Sequence, residues 1–141
     1  MHRAFAFAVV VCALFIGARP AFAHANLLSS DPAAGAQLDS APDAVTLTFS
    51  EQPELRLTDV EVLATDGIPV TDAVTAYGPR HTVKVGVKKL ANGTYTVVWR
   101  CVSKVDGHAT AGSFAFGVGV APSAPTQQAP KAPGPDPLEM A

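Results

Sequence analysis

The run Ser103-Lys104-Val105-Asp106-Gly107-His108-Ala109-Thr110-Ala111-Gly112 sets a carboxylate, a glycine and an imidazole in consecutive positions between two strand-like stretches. Side chains two residues apart across a glycine can converge on one point, offering one oxygen and one nitrogen. A divalent transition metal in a tetragonal plane of nitrogen and oxygen needs two more donors. A single residue supplies both if it becomes the amino terminus: His24 then chelates through its α-amine and its imidazole Nδ1. Such an amine has an ordinary pKa of about 7.7 to 8.0, low enough for a metal to displace its proton at neutral pH. Three nitrogens and one oxygen suit Cu(II), and the order of divalent affinities favours copper over nickel or zinc. Soft donors for Cu(I) are nearly missing, since the two methionines are Met1 and Met140.

The proviso about His24 is met by what precedes it. Met1-His2-Arg3 is a short basic start, residues 4–18 form an apolar run, and Ala21-Phe22-Ala23 has the small-x-small form of a signal-peptide cleavage site. Cleavage after Ala23 exposes His24; cleavage after Ala21 or Ala25 would not. The apolar run is shorter than the roughly 20 residues of a membrane-spanning helix. Val11 is bulky where a lipid-anchored Cys12 would want a small residue, and cleavage there would bisect the apolar run. Residues 1–23 are therefore read as a signal peptide, and the mature protein as soluble and exported, periplasmic or otherwise.

A chain of 141 residues has room for one ordinary domain, here residues 24–120. Beyond it, residues 121–141 are rich in proline, which removes backbone donors, and too poor in apolar side chains for a core; a disordered or polyproline-like tail is expected. Loss of Arg3 and Arg19 with the leader leaves 8 basic against 12 acidic residues, a formal charge of about −4. That balance excludes nucleic acid as a partner. Cys101 alone remains after the leader, so no internal disulfide forms, although an exported chain could hold one.

The elements that must position these residues are strands. Residues 44–50 alternate, with Val45, Leu47 and Phe49 on one side and Thr46, Thr48 and Ser50 on the other. Glu51-Gln52-Pro53 closes that run. Residues 57–65 form a second strand ending in the turn signal Asp66-Gly67, and residues 68–79 are less regular. Val83, Val85 and Val87 share a face in residues 81–87. Asn92-Gly93 opens a run with Tyr95, Val97, Trp99 and Cys101 in one parity, and Phe114, Phe116 and Val118 repeat the pattern. No window shows a helical period with caps. Six or seven short strands punctuated by turns predict an all-β sandwich or barrel.

Four stretches together carry a family resemblance: residues 24–35 (His-Ala-Asn-Leu-Leu-Ser-Ser-Asp-Pro-Ala-Ala-Gly), residues 45–51 (Val-Thr-Leu-Thr-Phe-Ser-Glu), residues 93–100 (Gly-Thr-Tyr-Thr-Val-Val-Trp-Arg) and residues 106–116 (Asp-Gly-His-Ala-Thr-Ala-Gly-Ser-Phe-Ala-Phe). In that order they resemble the CopC-type periplasmic copper-binding proteins. The resemblance implies an immunoglobulin-like, seven-stranded Greek-key β-sandwich that binds one Cu(II) per monomer through His24, Asp106 and His108. It places Glu51 near the copper, where it would hydrogen-bond a ligand or a bound water. It further implies a monomeric carrier or buffer in copper homeostasis and resistance, with a separate membrane transporter of the CopD type as partner. Two departures stand out. Many relatives carry a second, Cu(I) site in a methionine-rich loop containing a histidine, and residues 64–75 have neither residue type here. The spacing from Trp99 to Asp106 is also one residue long, with Val105 as the extra residue, which a bulge would absorb.

Plainer roles compete at each position. Asp-Gly is a common turn dipeptide; His81 reads as an exposed strand-start residue, Cys101 as a buried, inert thiol, and Trp99 as core. An amino-terminal histidine on a β-sandwich is also how copper-dependent polysaccharide monooxygenases are built, so an oxidative enzyme is the alternative function. Against it, Asp106 would occupy an equatorial position that oxygen activation needs open, and no nucleophile and base pair or phosphate loop is visible. A metal-free adhesion module is the third reading.

Overall fold

The computed structural model describes residues 24–125, with the side chains of residues 73–77 left aside. The expected signal peptide, Cys12, and residues 126–141 of the expected tail lie outside the described residues.

Alternating apolar residues build the first sheet. In β3 (Ala44–Phe49), Val45, Leu47 and Phe49 are buried and the intervening threonines are not. β6 (Thr82–Val87) buries Val83, Val85 and Val87. β3 runs between β1 (Leu27–Asp31) and β6, and β5 (Thr71–Gly78) closes the far edge, all antiparallel. The second sheet has the order β2 (Gln37–Leu38), β8 (Ala109–Val118), β7 (Gly93–Val102), β4 (Asp59–Ala64). A single turn of 3₁₀ helix, Leu55–Leu57, links β3 to β4. The buried faces of the two sheets meet in one apolar cluster that includes Phe49, Val62, Val85, Val97, Trp99 and Phe116. The ring of Trp99 meets Phe49 edge to face at 5.5 Å. Connections pass from sheet to sheet after β1, β2, β3, β4 and β6, as in a Greek-key sandwich.

The all-β sandwich is thus as read from the periodicity. Among the described residues there are eight strands rather than seven, because the two-residue parallel pairing of β2 with β8 forms a strand of its own. The irregular residues 68–79 contain β5, whose ladder with β6 shifts register between Asp72 and Thr75; a bulge breaks the period-two pattern that would mark the strand. In β7 both parities are buried, Thr96 and Val98 as well as the core-facing set. The chain after β8 folds back beside that outer face, where the Ser123 amide donates to Thr94 Oγ1 at 3.2 Å.

Gly112 lies opposite Trp99 in the β7–β8 ladder, and a Cβ there would sit 2.7 Å from Trp99 Cζ2. Gly112→Ala is therefore expected to cost about 1–3 kcal/mol in urea unfolding and to shift the emission of Trp99, the single tryptophan. An unchanged midpoint and spectrum would contradict this packing.

Candidate metal centre

The β7–β8 ladder runs without a break to its last pair, Val102 with Ala109, and the loop between them carries the chemistry. Its turn is built by side chains as much as by backbone. Asp106 Oδ1 accepts the His108 amide at 3.0 Å, while Oδ2 pairs with His108 Nδ1 at 2.6 Å. Gly107 takes φ +75° between them, a conformation natural to glycine, and its amide donates to the Ser103 carbonyl at 2.9 Å. The Asp-Gly turn thus fixes the position of the histidine.

Val105, read above as an extra residue, lies in this loop. Its side chain is 72% exposed, its amide donates to Ser103 Oγ at 3.1 Å, and the ladder register is undisturbed.

The other half arrives from the start of the described chain. His24 lies at the same end of the sandwich, with its ring stacked on that of His108, centroids 4.9 Å apart and planes within 10°. The Ala25 side chain next to it is wholly buried in the core, so the histidine is carried on an anchored backbone.

Glu51 acts at one remove from these residues. Ser103 Oγ donates to its Oε2 at 2.6 Å, and the neighbouring Gln52 carbonyl accepts the Lys104 amide at 2.9 Å. The end of β3 thereby fixes the base of the loop. Ser103 itself, buried to 1% exposure, was not legible as a site residue; a serine at a strand end has too many ordinary uses.

His81 is exposed, with φ 60°, at the start of β6, and its carbonyl accepts the Phe49 amide. Cys101 is buried with no disulfide. Burial pushes its thiol pKa up, against a smaller opposing effect of the Thr58 hydroxyl.

As arranged, the described residues contain no group of three or more His, Cys, Asp or Glu side chains that could hold a metal ion. His108 pairs with Asp106 and stacks on His24. The donor types nonetheless fit a divalent ion: two imidazoles and a carboxylate meet at one exposed corner, where His108 is 62% and Asp106 17% exposed.

Hydrogen bonds from the His108 ring and then from its amide hold the Asp106 carboxyl below the usual aspartate range. A lowered folded-state pKa means that the favourable contribution is fully present above the unfolded value, about 3.9, and is lost as pH falls through the lowered one. A carbon-13 carboxyl titration of the metal-free protein should give Asp106 a midpoint below about 3.9. A midpoint at or above that value would contradict the pairing.

A β-sandwich with histidines and an aspartate gathered at one end defines a class of small metal-binding domains, and comparison with known proteins identifies which. The CopC domain model matches residues 27–119. Protein YobA of Escherichia coli K12 is 34% identical over 119 residues, covering 82% of this chain and 95% of that protein. Copper transport protein CutJ of Bacillus subtilis is 33% identical over 118 residues, covering 79% of this chain but 21% of the larger protein. Among solved structures, PcoC, a methionine-rich copper resistance protein from Escherichia coli, aligns with a TM-score of 0.60 at 31% identity over 68% of this chain and 99% of its own. The chain belongs to the CopC family of copper-binding, copper resistance proteins.

Proposed function

We propose that the chain, once cleaved after Ala23, binds one Cu(II) through the His24 α-amine and imidazole, Asp106 and His108. The observation that carries this reading is the stacking of His24 on His108 at 4.9 Å, with Asp106 already paired to the same imidazole at 2.6 Å. Residues remote in sequence are thus neighbours in the fold. What processing would add is the amine, a strong nitrogen donor that an interior residue lacks.

The protein then works as an exported, monomeric copper carrier or buffer, and not as an enzyme. The donor set is nitrogen and oxygen, which suits Cu(II); the described stretch of residues 64–72 brings no methionine that would recruit Cu(I). A soluble role in the periplasm or an equivalent compartment accords with the leader-like residues 1–23 and with the finding that no helix among the described residues is long and apolar enough to cross a membrane. Delivery to a separate membrane transporter of the CopD type is the natural destination. In CutJ the matching region is about a fifth of a longer copper transport protein.

Titration of the mature protein with Cu(II) should saturate at one equivalent. One extra residue before His24, or Asp106→Ala with His108→Ala, should weaken binding by more than the roughly 10- to 100-fold expected for loss of an outer hydrogen-bond partner. Unchanged affinity in both would refute the ligand assignment. Copper- and ascorbate-dependent oxidation of a polysaccharide that vanishes in His24→Ala would instead establish an enzyme.

A further inference from the structure

β1 begins at Leu27, so residues 24–26 lie ahead of the first ladder, yet this segment carries His24. Two hydroxyls hold it, one from each sheet. Ser50, immediately after β3 in the first sheet, accepts the Asn26 amide on Oγ at 2.9 Å and donates its own proton to the His24 carbonyl at 2.8 Å. The Ser50 amide donates in turn to the Asn26 carbonyl at 2.9 Å. From β8 in the second sheet, Thr110 Oγ1 donates to the Ala25 carbonyl at 2.6 Å. Between the two, the Ala25 methyl is wholly buried. The segment therefore closes the end of the sandwich like a clasp, with its backbone carbonyls bonded to both sheets and its one apolar side chain turned into the core.

We propose that Ser50 and Thr110 are positioning residues for the metal site, fixing the backbone of His24 so that its imidazole stays opposite His108 and its freed amine leaves in one direction. Neither hydroxyl binds a donor atom of the site; both act through main-chain groups of residues 24–26. The physical effect is preorganisation. A chelating residue at a chain end is ordinarily the most mobile part of a domain, and ordering it on metal binding costs conformational entropy. A segment already bonded at His24, Ala25 and Asn26 has lost that freedom before the ion arrives. Thr110 adds a direct link to the other half, since it lies two residues beyond His108, as the second residue of the strand that follows the loop. The inference rests on the copper reading above and adds the residues that make the site rigid.

The test uses mature protein. Ser50→Ala combined with Thr110→Val should weaken Cu(II) binding, measured by chelator competition, about 10- to 100-fold. Ser50→Thr with Thr110→Ser, which keeps both hydroxyls, should restore it. The loss should be non-additive with His24→Ala, because a clasp has nothing to position once the imidazole is gone. A second measurement needs no variant. In the metal-free wild type the Asn26 and Ser50 amides should exchange slowly with deuterium, and Cu(II) should slow Asn26 further. Wild-type affinity in the Ser50→Ala, Thr110→Val protein, or solvent-rate exchange at Asn26, would overturn the clasp while leaving the copper reading intact. Failure of the wild type to take up Cu(II) would overturn the copper reading; because the Asn26 amide also donates to the His24 carbonyl at 2.8 Å, it is slow exchange at the Ser50 amide that would still support the clasp as a device that orders His24.

Discussion

The ten-pair ladder between β7 and β8 is the constraint on which the rest depends. Antiparallel pairing across so many residues leaves the connection after Val102 little choice of where to turn, and the turn is where Asp106 and His108 sit. The same ladder puts Gly112 under Trp99 and so joins the loop to the middle of the core. It also aims Thr110 at the Ala25 carbonyl. Each half of the proposed copper site is thereby referred to a single rigid pair of strands.

Around that pair, the end of β3 serves as the second support. Ser50 and Glu51 are adjacent, yet they reach in different directions: Ser50 binds the backbone of His24, and Glu51 binds Ser103 at the base of the loop. Neighbouring residues at a strand end point to opposite sides, so two consecutive polar positions can hold two separate segments. Glu51 therefore contributes to the shape of the loop, a role that loss of its carboxylate would reveal through Ser103.

Much of this was legible in the residues. The alternation in Val45, Leu47, Phe49 and in Val83, Val85, Val87 marks buried faces directly, because a strand with one wet side has no other economical pattern. Asp106 and His108 stand out as candidates by type and spacing, and His24 by its place after Ala23; the structure makes these three side chains neighbours. Three things were not legible. β5 is interrupted by a register shift, which destroys the period that identifies a strand. β2 is two residues long and exists only because β8 lies beside it. The hydroxyls of Ser50, Ser103 and Thr110 look like any small polar residues in a β-rich chain, and their partners are set by tertiary contacts remote in sequence.

The central claim is that the two histidines drawn together at 4.9 Å become ligands of one copper ion. Pulsed electron paramagnetic resonance on mature protein loaded with one equivalent of Cu(II) counts coordinated imidazoles directly through their remote nitrogens. Two equatorial imidazoles are predicted, falling to one in His24→Ala and to one in His108→Ala. A spectrum from a single imidazole in the wild type, or one unaltered by either substitution, would contradict the account.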